Sequence, residues 1–159
     1  MPENALIVDN DFFFAKFLGD LLRERGYHVL QAYDGKQGLA ALEDQMVDYV
    51  FVSIIMPRID GKQFIDCVRE KYSDAEFSII GVSDSILELR ELQKNVGADY
   101  YLQKQPIGKM SEYVNRFMEF VEGAPFLSST DKDMLDHEKG FRRQVTVDLL
   151  ESLSFQQGI

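Results

Sequence analysis

Seven polar side chains of this 159-residue chain stand at or directly after the ends of short apolar runs. They are Asp9, Asn10, Asp11, Ser53, Ser83, Asp84 and Lys104. Carboxylates bind hard metal ions or exchange protons, hydroxyls hydrogen-bond to anions, and a lysine offsets negative charge. If the apolar runs are neighbouring strands, these side chains predict one polar site, either functional or ancestral.

The elements that would position these side chains alternate in type along the chain. Short apolar runs at residues 5–8, 27–32, 49–55, 77–82 and 100–102 predict strands. Helical spacing of apolar residues follows each run, with the fourth helix predicted at 86–96 and the fifth at 110–121. This alternation predicts a doubly wound α/β fold with a parallel sheet, whose functional crevice lies at the carboxyl ends of the strands.

The composition limits the class of protein and its partners. The formal net charge is −10, which disfavours binding to nucleic acid, and the longest basic run, Arg142 with Arg143, is expected on a solvated helix face. The single cysteine, Cys67, is expected to be a buried reduced thiol. Since the N-terminus lacks a signal-peptide pattern and no apolar run is long enough for a membrane span, the sequence favours a cytoplasmic protein without membrane contact.

Five motifs, in this order, resemble those of the receiver domains of two-component response regulators. They are IVDND at 7–11, YDG at 33–35, DYVFVSIIMP at 48–57 with DG at 60–61, IIGVS at 79–83, and GADYYLQK at 97–104. The resemblance implies a flavodoxin-like, doubly wound, five-stranded parallel sheet with five helices. It also implies a receiver-like domain at 1–123 and a short helical C-terminal extension at 124–159.

The phosphorylation chemistry that this resemblance implies meets departures at two central positions. In the family, an aspartate that ends the third strand takes the phosphoryl group from a phosphohistidine, and carboxylates of the first motif hold magnesium. Here these positions carry Ser53 and Asn10. A serine without an adjacent base is a weak nucleophile. Asp9 alone stays in register as a weak metal ligand, and Asp11 is expected to cap the first helix.

The resemblance therefore implies a pseudo-receiver without a cofactor, in which Ser53 is a degenerate phospho-acceptor position. Asp9, Asn10 and Asp11 would form a remnant acidic pocket. Ser83, Tyr101 and Lys104 stand where the family has its switch hydroxyl, its switch aromatic, which turns inward on activation, and its lysine.

Asp84 replaces a residue that is usually small in the family. It is expected either to block the pocket or to cap the following helix. We expect Lys104 to pair with Asp84 or Asp9 instead of a phosphate. The switch residues are either inherited remnants or part of a switch that a partner drives.

Two further features have open interpretations. Phe12 and Phe13 are either interface anchors or a cover over an unused pocket. In the extension, residues 128–133 resemble a helix start, and a second helix would carry an apolar stripe. The stripe consists of Phe141, Val145, Leu149, Leu150 and Leu153, and it favours self-association or partner docking.

The sequence favours a phosphorylation-independent signalling module, not an enzyme, that acts through protein–protein contacts. The expected surface is the fourth helix, fifth strand and fifth helix, or the extension, and either could form a homodimer. That surface would carry Glu88, Arg90, Glu91, Lys94, Tyr113, Arg116 and Glu119. One alternative is a phosphatase resembling haloacid dehalogenases that uses Asp9 and Asp11. Another is a small-molecule sensor that uses the vacated pocket.

Overall fold

The computed structural model describes residues 3–56, 60–73, 76–84, 98–124 and 131–156. The strands are β1 (Asn4–Val8), β2 (His28–Ala32), β3 (Tyr49–Ser53), β4 (Ser78–Ser83) and β5 (Tyr100–Gln103). The helices are α1 (Phe12–Glu24), α2 (Gly35–Asp44), α3 (Gly61–Lys71), α4 (Ile107–Gly123) and α5 (Lys132–Gln156). Here α4 is the helix predicted as the fifth, because the predicted fourth helix at 86–96 falls outside the described residues.

The five strands pair in parallel in the order β2-β1-β3-β4-β5. Every residue of β3 and of β4 is buried, as expected of strands covered on both faces. One core layer joins this sheet to α1 and α4, and a second joins it to α2 and α3. The predicted flavodoxin-like, doubly wound fold is therefore confirmed.

Aspartates determine where three of the helices begin. Asp11, Asp34 and Asp60 are the N-caps of α1, α2 and α3, and each side chain accepts a hydrogen bond from a backbone N–H of the first turn. The helix-capping role predicted for Asp11 is thus confirmed. Gly26, with a φ of +97°, takes the left-handed conformation that turns the chain from α1 into β2.

Two predictions about single side chains are wrong. Cys67 lies on α3 with its side chain exposed, because its helical position faces away from the sheet-facing residues Phe64, Ile65 and Val68. Arg142 and Arg143 are only 3% and 7% exposed, instead of lying on a solvated face.

The extension is also arranged differently from its prediction. Within residues 131–156 it forms one continuous helix, which follows Asp131. Phe141 of the proposed apolar stripe is exposed, and the side chains of Leu149, Leu150 and Leu153 lie outside the described set. Among the described residues, no helix has both the length and the apolar character needed to cross a membrane.

Candidate functional site at the strand ends and the β5 edge

The carboxyl ends of four strands bring the predicted polar residues together. Asp9 follows β1, Ser53 ends β3, Ser83 ends β4 and Lys104 follows β5. We call Asp9, Ser53, Ser83 and Lys104 the strand-end site. All four are buried or nearly so, with Lys104 keeping 15% of its side chain exposed. Parallel strands explain this convergence, because their carboxyl ends share one edge of the sheet.

An ion pair dominates the strand-end site. Lys104 Nζ lies 2.9 Å from Asp9 Oδ2 and 3.7 Å from Asp11 Oδ2. The predicted pairing of Lys104 with Asp9 is therefore confirmed. Among the ion pairs of the described residues, none joins Asp84 to Lys104. The charge of Lys104 is thus balanced by the two carboxylates that follow β1.

Asp9 keeps a buried carboxylate under competing influences. Its Oδ1 accepts the backbone N–H of Asp11 at 2.9 Å, and its Oδ2 faces Lys104. Burial raises the pKa of this carboxyl above its ordinary value of 3.8, although the Asp11 N–H and the Lys104 ammonium both act to lower it. Removing the carboxylate from water thus outweighs its stabilising contacts.

Ser53 turns its hydroxyl towards the backbone of its own loop. Its Oγ donates a hydrogen bond to the carbonyl oxygen of Ile55 at 3.1 Å. The following loop returns so closely that a Cβ at Gly61 would stand 2.2 Å from the Ser53 carbonyl oxygen, so only glycine fits there. Neither histidine of the chain can act as a base for this hydroxyl, because His28 and His137 are both exposed on other elements.

The ends of β4 and β5 are held by backbone contacts. Lys104 N donates to the Ser83 carbonyl oxygen at 2.9 Å, and the Gln103 side-chain amide donates to the Asp84 carbonyl oxygen at 2.9 Å. Ser83 is 4% exposed, whereas the Asp84 side chain is exposed. The helix that Asp84 was expected to cap lies outside the described residues.

Tyr101, the predicted switch aromatic, is turned inward. It is 1% exposed and packs in the core layer that contains α3. Its ring lies over Gly81, where a Cβ would stand 2.9 Å from Cδ1 of the ring. The Tyr101 hydroxyl is buried without a hydrogen-bond partner among the described residues. The glycine in β4 therefore makes room for this ring.

A partly open groove of about 350 Å³ lies at the mouth of the strand-end site. It is lined by Asp11, Phe13, Phe14, Phe17, Asp84, Lys104, Gln105 and Met110. Lys104 Nζ lies 4.7 Å from the centre of the Phe14 ring, a favourable cation–π distance. Phe12 stacks on Tyr33 at 4.4 Å but stays 63% exposed, and Phe13 is 89% exposed. These two phenylalanines therefore do not seal the groove.

A second polar cluster joins α5 to the edge strand β5, and we call it the tail contact. Arg143 Nη1 donates to the Ala98 carbonyl oxygen at 2.7 Å, and Arg142 Nη1 donates to the Tyr100 hydroxyl at 3.0 Å. The Tyr101 backbone N–H donates to Thr146 Oγ1 at 3.3 Å. Sequence reasoning missed this cluster, because nothing in the spacing of Arg142, Arg143 and Thr146 identifies the strand that they contact.

The interaction surface was expected on the predicted fourth helix, on β5 and on α4, and its described part is smaller than expected. Tyr113 was expected on it but is 3% exposed, because its hydroxyl accepts the backbone N–H of Gln103 at 3.2 Å. Arg116 remains accessible and pairs with Glu112 at 3.1 Å, and Glu119 is exposed. The residues expected on the predicted fourth helix, Glu88, Arg90, Glu91 and Lys94, lie outside the described ranges.

This parallel sheet, with an acidic first strand end and a lysine after the last strand, defines a receiver-type signalling domain. The family model for the response regulator receiver domain matches residues 5–115. The chain therefore belongs to the response regulator receiver domain family of two-component signalling.

Relatives and solved structures agree with this family. The chain is 33% identical over 104 residues to the response regulator MprA of Mycolicibacterium vanbaalenii, covering 65% of this chain and 45% of that one. It is 37% identical over 100 residues to the transcriptional regulatory protein CpxR of Klebsiella pneumoniae, covering 62% and 41%. The chain thus spans less than half the length of these curated relatives.

Two solved structures share the fold. The chemotaxis protein CheY4 of Vibrio cholerae superposes with a TM-score of 0.63 at 24% identity, covering 73% of this chain and 98% of that one. The response regulator TrrA of Thermotoga maritima, in complex with magnesium and beryllofluoride, superposes with a TM-score of 0.61 at 26% identity, covering 72% and 97%.

The described residues do not fit the magnesium ion that this family uses. Mg²⁺ takes a near-octahedral set of oxygen ligands, usually with one or two carboxylates free to face it. Here both Asp9 oxygens are engaged by Lys104 and by the Asp11 N–H, and Ser53 Oγ is bonded to Ile55. Among the described residues no group of three or more His, Cys, Asp or Glu side chains is placed to hold a metal.

Proposed function

We propose that this receiver domain is a pseudo-receiver, a signalling module that works through protein–protein contacts independently of phosphorylation. The observation that carries the proposal is Ser53 at the end of β3, where the family has its phospho-acceptor aspartate. Its hydroxyl is bonded to the loop at 3.1 Å. A serine without a histidine beside it among the described residues is a weak nucleophile, and its hydroxyl cannot form an acyl phosphate.

The rest of the strand-end site supports the same function. Lys104, which offsets phosphoryl charge in the family, is satisfied by Asp9 at 2.9 Å. Tyr101 already occupies the inward position that the family reaches on activation. The domain would therefore present an activated-like conformation without a phosphoryl group. In this proposal Ser83 and Lys104 are retained for structure and switching, and Asp84 adds negative charge at the mouth of the groove.

The proposed partners are proteins of a signalling pathway. Exposed apolar side chains follow the ends of β1 and β3, where Phe12, Phe13 and Ile55 are 63%, 89% and 70% exposed, and Phe13 also lines the groove. Others lie on α5, where Met134 and Phe141 are 63% and 59% exposed. Homodimerisation through the extension, residues 124–159, would use this second patch, and sedimentation velocity of Phe141→Ser against the wild type tests it.

The proposal is tested by the binding of magnesium with beryllofluoride, a phosphoryl mimic. We expect no heat and no amide shift in the wild type, and binding in the double variant Ser53→Asp with Asn10→Asp, because the two carboxylates restore the missing oxygen ligands. The control is Asn10→Asp alone, which restores the metal position but not the acceptor. Calorimetry and amide NMR shifts measure the response.

A strong response of the wild type would contradict the proposal, because it would show that the strand-end site still binds a phosphoryl mimic. Labelling of the wild type by acetyl phosphate, detected as a mass increase that Ser53→Ala leaves intact, would contradict it as well. The acceptor would then be another residue.

A further inference from the structure

We propose that α5 is an intramolecular lock that holds Tyr101 in its inward position through Thr146 and Arg143. This inference rests on the proposed function, because it names what controls the switch aromatic when no phosphoryl group does so. It assigns a regulatory role to the extension, which lies beyond the residues that match the receiver family at 5–115.

The inward position of Tyr101 needs support from outside its own ring. Its hydroxyl is buried without a hydrogen-bond partner among the described residues. A buried, unpaired hydroxyl is unfavourable, and an outward ring would return it to water. Burial also raises the pKa of this phenol, so ionisation offers no relief. Burial of the ring offsets part of this loss of hydration, and contacts of the backbone around Tyr101 add to it.

Two α5 side chains supply such contacts beside Tyr101. Thr146 Oγ1 accepts the Tyr101 backbone N–H at 3.3 Å, and it donates its own proton to the Arg143 carbonyl oxygen at 2.8 Å. The Arg143 guanidinium donates to the Ala98 carbonyl oxygen at 2.7 Å, and its charge acts on the Tyr101 phenol. The threonine is thus oriented by its own helix, with its acceptor lone pair directed at β5.

A third side chain extends the contact to the preceding residue of β5. Arg142 donates to the Tyr100 hydroxyl at 3.0 Å, and its guanidinium carbon lies 5.7 Å from the centre of that ring. Side chains of consecutive strand residues point to opposite faces, so Tyr100 packs with α1 and α4 while Tyr101 packs with α3. One helix therefore contacts the side chain of Tyr100 and the backbone N–H of Tyr101, two adjacent residues of the edge strand.

The chemistry of the contact suits a lock that opens. Among the described side chains, its core consists of hydrogen bonds and buried basic groups, with Thr146 at 1% exposure. Release of the contact would return these polar groups to water, which re-forms their hydrogen bonds. A two-state element is what a partner needs in order to shift the population of Tyr101 conformations.

The test follows the Tyr101 ring and its amide in the full chain without a phosphoryl donor. The chain is labelled with 3-fluorotyrosine for ¹⁹F NMR, and Tyr101→Phe assigns the resonance. The variants are Thr146→Val, which is nearly isosteric, and Arg143→Met. The control is Gln144→Met, on an exposed position next to Arg143. Hydrogen exchange of the Tyr101 amide reports whether α5 stays docked.

We expect Thr146→Val and Arg143→Met each to speed Tyr101 amide exchange about five- to tenfold, as the loss of one net hydrogen bond would. A second, solvent-exposed ¹⁹F resonance of Tyr101 should grow by a similar factor, and Gln144→Met should change neither. If Arg143→Met proves unfolded by circular dichroism, Thr146→Val alone decides the result.

Two results would overturn the lock. In the first, the amide exchanges faster but the ring resonance stays unchanged, so α5 does not control Tyr101. In the second, both variants match the control, so the assigned contacts do not hold α5. A beryllofluoride response of the wild type is a separate result, which would remove the proposed function without changing either readout.

Discussion

The strand-end site and the tail contact both bury positive side chains, but they stabilise them differently. Lys104 at the strand ends keeps 15% of its side chain exposed and faces the carboxylates of Asp9 and Asp11. In the tail contact, Arg142 and Arg143 are 3% and 7% exposed. Arg142 pairs with the carboxylate of Glu138 at 3.0 Å, and the two side chains donate to the Tyr100 phenol and the Ala98 carbonyl oxygen. Charge pairing dominates the first region, and the polar atoms of an edge strand take part in the second.

The two regions also differ in what brings their side chains together. The strand-end site uses the positions at which parallel strands always deliver side chains to a common edge. The tail contact instead solves the problem of an edge strand, whose backbone N–H and C=O groups must find partners or water. Both regions meet at β5, so substitutions near this strand can separate their contributions.

The largest effect is expected from Asp99→Ala, directly before β5. Asp99 is 1% exposed, and its Oδ2 accepts from Arg69 at 3.0 Å and from the Ile79 backbone N–H at 2.8 Å. Removing one partner of a buried pair leaves the other uncompensated, so we expect a loss of about 3–5 kcal/mol in the free energy of unfolding. Urea denaturation measures it.

The same variant distinguishes the two regions. Because Asp99 lies next to Ala98, hydrogen exchange should rise more at the tail contact than at Asp9 and Lys104. The control is Asp20→Ala, which removes exposed ion pairs and should cost less than about 1 kcal/mol. Equal losses for the two variants would show that the Asp99 pair is not a structural anchor.

A smaller effect is expected from Gly81→Ala in β4. The added Cβ would stand 2.9 Å from the Tyr101 ring, and overpacking of this kind costs about 1–3 kcal/mol. Thermal unfolding measures the loss, and the fluorotyrosine resonance of Tyr101 should move towards its exposed position. Gly108→Ala is the control, since nothing lies within 4 Å of its Cβ. An unmoved Tyr101 resonance would mean that the ring tolerates the methyl group by local adjustment.

The smallest effect is expected from Asp9→Asn and depends on pH. Burial raises the pKa of Asp9 in the folded chain, so the folded state binds this proton more tightly than the unfolded state does. The stability that this proton contributes is complete below the ordinary value of 3.8 and is lost as the pH rises through the raised pKa. The wild type should therefore lose stability relative to Asp9→Asn over that window.

Urea denaturation of both proteins at a series of pH values checks this prediction. The control is Gly108→Ala, which removes no ionisable group, and its difference from the wild type should not change with pH. A difference that changes in the opposite direction for Asp9→Asn would show that Lys104 outweighs the desolvation of the carboxylate.

Local rules were enough to predict much of the molecule. Apolar runs located the strands, and Asp11, placed directly after β1, was recognised as a helix cap that the structure bears out. Asp9 was one of two carboxylates expected to pair with Lys104, because the carboxyl ends of parallel strands share one edge of the sheet, and the structure selects it over Asp84. Cys67 and Tyr113 were misjudged, since the burial of a helical side chain depends on which face packs against the sheet.

The sequence by itself determined the parallel fold, the convergence of Asp9, Ser53, Ser83 and Lys104, and the serine at the end of β3. The reason is that alternating strands and helices predict parallel strands, whose carboxyl ends share one edge of the sheet. Only the tertiary structure decided that Asp9 takes the lysine, that Tyr101 is inward, and that Arg142, Arg143 and Thr146 reach β5. These contacts join residues 42 or more positions apart in the chain, such as Tyr100 with Arg142, and local pattern carries no information about which distant surfaces meet.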